Sequence, residues 1–306
     1  MKIVLAADGP LDVERTLARY RIWGEDPANR LAGDAFRRVL RLDGRLVPYE
    51  VRWAGAVDDV RLTIHAPGRF APAVAEGIER EVRGIFGLHF DLPGFSRFAK
   101  SDLVLAPVVE RLYGLRPTLS PTPLEMFVGS ITAQQVNLAF AFALRARVVK
   151  RYGTPLAIGG HQVYAFPEAT RLARARVAAL RAMQFSQRKA EYIVGVAREI
   201  ATGALDLDAL PAASDAEVIE RLTAIRGFGR WTADWFLARC LGRGACCPAG
   251  DLGVRKAFDH YYGRGRTLSE RAIRRRSATW GVHQNLAIHY LLAGLRDETR
   301  AQKERT

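Results

Sequence analysis

Cysteine is nearly absent. Cys240, Cys246 and Cys247 are the three thiols in 306 residues; an odd number with two adjacent argues against a disulfide framework, and no C-x-x-C pair offers a zinc spacing. An iron–sulfur cluster needs four spaced cysteines and is excluded as well. The six histidines stand singly, without H-E-x-x-H or any clustered ligand pattern, so no dedicated catalytic metal is expected. Long apolar runs are missing too. Nowhere do ~18 uncharged apolar residues follow one another, and the apolar run in MKIVLAADGP is too short for a signal segment, so export and membrane insertion lack support and the expected compartment is the cytoplasm. Acidic residues are the minority charge, 32 against 46 Lys and Arg, for a net +14. Such a balance suits a polyanionic partner, although a basic charge also serves solubility alone and names no chemistry.

What is present is the composition of an ordinary globular chain, 49% hydrophobic and 25% charged. The length exceeds the ~100–200 residues usual for one domain, so two or three packed units are expected. The first hundred residues mix periods. Lys2–Ala6 precedes a short helical pattern from Asp12 to about Tyr20; Phe36–Leu42 and Arg45–Trp53 flank Asp43-Gly44, a two-residue hairpin signal; Val60–Ala66 is a further strand. Pro72–Phe86 then carries Val74, Ile78, Val82, Ile85 and Phe86 at helical spacing. Residues 1–101 therefore read as an α+β domain, an antiparallel sheet with helices. From Asp102 strand signals nearly vanish, and helical periods run through Leu103–Tyr113, Pro123–Ser130, Asn137–Tyr152, Ala169–Met183, Ser186–Thr202, Ser214–Ala224, Thr232–Leu241 and Ser269–Leu295. Residues 102–306 read as a helical array.

Chemistry concentrates between Ser214 and Phe258. Ser214-Asp-Ala-Glu217 is a capping box that opens a helix, Gly227-Phe228-Gly229 turns the chain, and Arg230–Arg239 resumes a helix at once. Two glycines there permit positive φ and leave backbone N–H groups bare at a helix start, where the macrodipole favours an anion such as phosphate. A plain helix–helix turn is the other reading. A dinucleotide fingerprint fails, because its sixth position is Thr232 and the motif follows a helix rather than a strand. Twenty positions after Trp231 stands Asp251, just before a basic amphipathic stretch holding Arg255 and Lys256; an N-cap is the commonest role for such an aspartate.

Taken together, the hairpin Leu222-Thr-Ala-Ile225-Arg-Gly227-Phe228-Gly229-Arg230-Trp231-Thr232-Ala-Asp-Trp235 and the loop Pro248-Ala-Gly-Asp251-Leu-Gly-Val-Arg255-Lys256-Ala resemble the helix-hairpin-helix (HhH-GPD) DNA glycosylases, in the 3-methyladenine DNA glycosylase II (AlkA-type) branch. Phe127-Val-Gly-Ser-Ile131-Thr-Ala-Gln134-Gln135-Val-Asn is similar to the wedge segment of that branch, and Phe185-Ser-Gln-Arg-Lys189-Ala-Glu191 fits its next helix start. The likeness covers roughly residues 105 to 295; the first hundred match only in pattern.

The resemblance implies a sheet domain of TBP-like type and two helical subdomains flanking a cleft. It implies a monofunctional hydrolase of base excision repair, acting as a monomer on damaged double-stranded DNA in the cytoplasm (a bacterial nucleoid) and releasing alkylated purines of the 3-methyladenine or 7-methylguanine type. Asp251 would be the catalytic carboxylate, stabilising positive charge on the sugar C1′. Trp231, Trp235 and Tyr20 would line the base pocket, where flat indole faces favour a cationic purine by ~0.5–2 kcal/mol. Gly227, Phe228, Gly229, Arg230, Thr232, Gln134, Gln135, Arg255 and Lys256 would meet DNA, Gln135 standing where a leucine wedge is common. Arg264, Arg266, Arg271, Arg274, Arg275 and Arg276 form a run suited either to DNA or to a solvated helix face. Lyase members of the family carry a lysine at the position of Trp231, so a bifunctional oxidised-purine glycosylase/lyase is disfavoured, and the presence of Asp251 speaks against a non-catalytic binding protein. No cofactor is expected beyond a Na⁺ or K⁺ ion at the backbone of Ile225 and Gly227.

Overall fold

The computed structural model describes residues 1–305. In chain order these form β1 (Lys2–Ala6), α1 (Val13–Leu17), α2 (Arg19–Ile22), β2 (Asn29–Ala32), β3 (Ala35–Leu42), β4 (Arg45–Ala54), β5 (Arg61–His65), α3 (Pro72–Ile85), α4 (Leu92–Ala99), α5 (Leu105–Arg111), α6 (Pro123–Ala133), α7 (Leu138–Tyr152), β6 (Thr154–Ile158), β7 (His161–Ala165), α8 (Ala169–Ala173), α9 (Val177–Ala182), α10 (Gln187–Ala201), α11 (Asp215–Thr223), α12 (Arg230–Arg239), α13 (Leu252–Tyr262), α14 (Glu270–Ala278) and α15 (Gln284–Glu304). None of these helices is long and apolar enough to cross a membrane.

The sheet is antiparallel throughout, in the order β1-β5-β4-β3-β2. Asp43 and Gly44 turn β3 into β4 with φ of 47° and 74°, the left-handed pair that matches strand twist. α3 lies across one face and buries Val74, Ile78, Val82 and Ile85 against Phe36, Leu40 and Val51. At Gly77 a side chain would meet Leu40 Cδ2 at 3.1 Å, so the glycine lets helix and sheet approach closely.

The second core gathers the helices from α4 to α15, with Leu92 and Phe95 of α4 inside it. Three features depart from the sequence reading. A hairpin, β6–β7, interrupts the helical array and packs Ile158, Val163 and Ala165 on Val39 of the sheet. Its signal was the pair Gly159-Gly160, whose φ values of 55° and 72° make the turn. The pattern over Ala169–Met183 splits into α8 and α9, and the pattern over Ser269–Leu295 breaks at a 3-10 turn over Gly281–His283, where Gly281 takes φ of 53°. β2 and α4 carry no period strong enough to have been read.

Buried charge joins the sheet to the helices. From β3, Arg38 donates through Nη2 to Glu125 Oε1 of α6 at 2.5 Å and through Nε to Glu81 Oε2 of α3 at 3.1 Å. Arg145 of α7 donates through Nη2 to the other oxygen of Glu125 at 2.8 Å and through Nη1 to Asp26, which also accepts from the Asn29 amide at 3.1 Å. The Tyr49 hydroxyl donates to Glu81 at 3.0 Å. The Arg38 and Glu125 side chains are 3% and 1% exposed, so each charge depends on the others for solvation. Glu125→Gln strips Arg38 and Arg145 of their shared carboxylate, and denaturant unfolding should show a loss of ~3–5 kcal/mol. Glu79→Gln, which breaks the exposed Arg83–Glu79 pair at 2.8 Å, should cost no more than ~0.5 kcal/mol. Equal small losses at both sites would show that the buried network does not hold the two parts together.

Candidate active site

Ser214 opens α11 with a reciprocal capping box: its Oγ accepts the Glu217 N–H at 3.3 Å and its own N–H donates to Glu217 Oε2 at 2.8 Å. After the helix, the Phe228 N–H donates to the Ile225 carbonyl at 3.0 Å, and Gly227 takes φ of 94°. A Cβ on Gly227 would stand 2.4 Å from the Tyr192 ring, so glycine is required there twice over. Gly229 differs from the expectation of two positive-φ glycines. It is the N-cap of α12 at φ −122°, extended backbone that any residue adopts, and a Cβ there would meet nothing within 4 Å. Its value lies in that bare space: α12 begins with no side-chain cap, and an anion can reach the N–H groups of its first turn. Two of the expected DNA contacts do not run through side chains. Thr232 is 1% exposed and Phe228 6%, its ring centroid 5.0 Å from that of Phe127, so both side chains belong to the core. Arg230 is exposed beside the turn and is steered by Asp234 at 2.7 Å.

Asp251 is indeed an N-cap: its Oδ1 accepts the Val254 N–H at 3.1 Å and starts α13. The other oxygen, Oδ2, accepts from both tryptophans of α12, Trp231 Nε1 at 2.8 Å and Trp235 Nε1 at 3.2 Å. Four residues apart, the two indoles share one helix face and converge on one oxygen atom. A carboxylate offers roughly four acceptor sites, so about one is left for a water or a substrate group. Trp231 is half-buried, whereas Trp235 is buried, its ring edge-on to His289 at 5.8 Å and covered by the Arg239 guanidinium at 5.9 Å. Tyr20 does not line the site: its ring is in the core of the sheet domain, 5.4 Å from Phe36, and its neighbour Arg19 is the side chain of α2 that extends over Phe142 of the helical part.

The segment after α6 reaches the same place. Gln134 is half-buried and donates through Nε2 to the Gly227 carbonyl at 2.9 Å, bracing the hairpin turn. Gln135 stands exposed at φ of 54°, a conformation costly for a non-glycine residue, which aims the following chain and its own side chain outward. Lys189, buried with its ammonium lowered by desolvation, donates to the Thr132 carbonyl at 2.9 Å and ties down the end of α6. The Ile225 and Gly227 carbonyls, the expected cation ligands, already accept from Phe228 N–H and from the Gln134 amide, so a Na⁺ or K⁺ ion would share both oxygens with existing donors.

On α13, Lys256 is exposed and Arg255 half-buried. In the arginine run, Arg274 is committed to Asp234 and Glu270, each at 2.7 Å, and Arg276 to Asp102 at 2.8 Å; Arg264, Arg266, Arg271 and Arg275 face solvent. Sequence reasoning missed Arg19, Arg239 and His289. Arg239 carried a signal, since it continues the Trp231–Trp235 face by one more turn; the other two come from distant parts of the chain with no local pattern to mark them.

The family model for the HhH-GPD superfamily base excision DNA repair proteins matches residues 128–281, which contain the hairpin and Asp251. A DNA-3-methyladenine glycosylase of Bacillus subtilis is 32% identical over 216 residues, covering 71% of each chain. A probable bifunctional transcriptional activator/DNA repair enzyme AlkA of Mycobacterium tuberculosis is 28% identical over 265 residues, 84% of this chain and 49% of that protein. Among solved structures, a 3-methyladenine DNA-glycosylase from Archaeoglobus fulgidus superposes with a TM-score of 0.83 at 28% identity, covering 97% of this chain and 98% of its own. This chain belongs to the HhH-GPD superfamily of base excision DNA repair proteins, in its AlkA-type branch.

Proposed function

We propose that this protein is a monofunctional DNA glycosylase that binds double-stranded DNA as a monomer, extrudes an alkylated purine and hydrolyses its N-glycosidic bond, leaving an abasic site in an unbroken strand. The observation that carries this reading is Asp251, fixed at a helix start and gripped by two indole N–H groups at 2.8 and 3.2 Å. Cleavage of the bond builds positive charge at C1′, and a carboxylate that cannot swing away opposes that charge in the transition state without reorganising. Its remaining acceptor site can orient the attacking water. Alkylation makes the purine a good leaving group, and weakened stacking eases its extrusion, so no second acid is required of the protein.

Around this centre the other residues handle DNA. The bare start of α12 takes a backbone phosphate with Arg230 beside it, and the exposed Lys256 and Arg255 follow Asp251 on α13. Gln135 fills the gap left by the extruded base and can hydrogen-bond to the orphaned partner, which a leucine wedge cannot. Trp231 occupies the lyase position with a side chain that has no amine. A Schiff base therefore has no donor there, and water is the nucleophile.

Asp251→Asn keeps the size of the side chain but removes the charge and one of its two accepting oxygens; single-turnover excision should fall by two or more orders of magnitude with DNA affinity nearly unchanged, and a rate within tenfold of the parent would refute the role. Borohydride should trap no protein–DNA adduct with the native protein, and efficient trapping would reveal an amine nucleophile in place of water. Gly229→Ala should leave Tm unchanged, because its backbone is unstrained and its space open, yet weaken binding to undamaged duplex several-fold; unchanged affinity would place DNA away from the hairpin.

A further inference from the structure

One face of α12 carries Trp231 and Trp235 and then, a turn deeper, Arg239. The Arg239 Nη2 donates to Thr118 Oγ1 at 3.1 Å, and from α2 in the sheet domain Arg19 Nη1 donates to the same oxygen at 3.3 Å. Thr118 is 3% exposed. Two guanidinium groups thus converge on one neutral hydroxyl, and among the described residues neither has a carboxylate at ion-pair distance, unlike Arg38 and Arg145 of the buried network. Burial lowers the Arg19 pKa, the direction expected of a cation that lacks a close counter-charge, yet guanidinium does not give up its proton in proteins. The Nε atoms of both arginines are buried with no hydrogen-bond partner.

His289 of α15 packs on the same tryptophan. Its ring stands edge-on to Trp235, and Nδ1 lies 2.9 Å from the Asn285 carbonyl. A carbonyl only accepts, so Nδ1 carries the proton and the neutral ring presents Nε2 as a bare acceptor, buried and unpartnered. Burial holds the imidazole neutral with its pKa pushed down to about 4, and Arg19 nearby acts in the same direction. A donor from Arg239 and an acceptor from His289 therefore flank Trp235, whose own N–H is spent on Asp251, and Arg19 joins Arg239 through Thr118. Unmatched buried polar atoms are costly, and these three, on residues linked through Trp235 and Thr118, mark the place where a polar ligand edge belongs.

We propose that Arg19, Arg239 and His289 are specificity-determining residues that read the extruded base as a 6-oxopurine. The guanidinium N–H groups donate to O6, and His289 Nε2 accepts from N1–H, the pattern shared by 7-methylguanine and hypoxanthine. A 6-aminopurine such as 3-methyladenine presents a donor where the arginines need an acceptor and an acceptor where His289 needs a donor. A site built to hydrogen-bond one edge rejects the reversed edge strongly, because its own buried groups stay unpaired. This inference rests on the glycosylase reading and adds its base preference.

The test is a single-turnover panel with duplexes holding 7-methylguanine, hypoxanthine or 3-methyladenine, each rate divided by the spontaneous rate of depurination of the same lesion. The native protein should favour both 6-oxopurines over 3-methyladenine. His289→Leu, Arg239→Met and Arg19→Met, which alter three separate elements, should each cut that preference tenfold or more while leaving 3-methyladenine excision within a few-fold and undamaged duplex affinity unchanged. A native preference for 3-methyladenine overturns the proposal. So does an equal loss on all lesions with weakened binding to undamaged duplex, which would make the arginines a clamp for backbone phosphate. If the native protein releases no base at all, the glycosylase reading itself falls, a result distinct from either pattern.

Discussion

Asp251 is held from two directions at once. Its Oδ1 caps α13, so the dipole and N–H groups of that helix favour negative charge, and its Oδ2 takes the indole N–H of Trp231 and Trp235 from α12. A carboxylate that stabilises a fleeting cation must already be in place, since any reorganisation at the moment of bond breaking would be charged against the barrier. The hairpin between α11 and α12 has a second duty for this reason. Its tight turn at Gly227, closed by the Tyr192 ring and braced by Gln134, sets where α12 begins and hence where both indoles point. The proposed phosphate docking and the placement of the carboxylate are thereby built on one element.

A similar economy joins the two parts of the chain. The Arg38–Glu125–Arg145–Asp26 network holds β3 against α6 and α7 through charges that have no water to fall back on. One outcome is that α2 is held against the helical part, where Arg19 meets Arg239 over Thr118. Paired arginines serve as structure in the network, and the unpaired ones are those proposed to read the base; the difference is the presence or absence of a carboxylate within reach.

Local chemistry made much of this legible in the sequence. Asp43-Gly44 announced its hairpin, the α3 pattern its amphipathic face, and Gly227-Phe228-Gly229 with Asp251 twenty positions after Trp231 the candidate site. Trp231 in a lysine position spoke directly to mechanism. What escaped depended on long-range placement. Phe228 and Thr232 sit inside the hairpin motif proposed to meet DNA, yet their side chains turn into the core, a fact the motif does not encode. Tyr20 was an aromatic near a helix end, and only the packing against Phe36 shows that it supports the wall while Arg19 extends past it. His289 is one histidine on a long helix, and nothing in its neighbours announces that its ring meets Trp235.

The most direct measurement is the alkali dependence of strand scission. A duplex carrying a single hypoxanthine or 7-methylguanine is incubated with the native protein and divided, one half treated with hot alkali and one not. Hydrolysis by water, directed by Asp251 with Trp231 in place of an amine, predicts breaks at the lesion only in the alkali-treated half. Breaks in the untreated half would contradict it, as they would require the protein to cleave the backbone through a covalent amine intermediate.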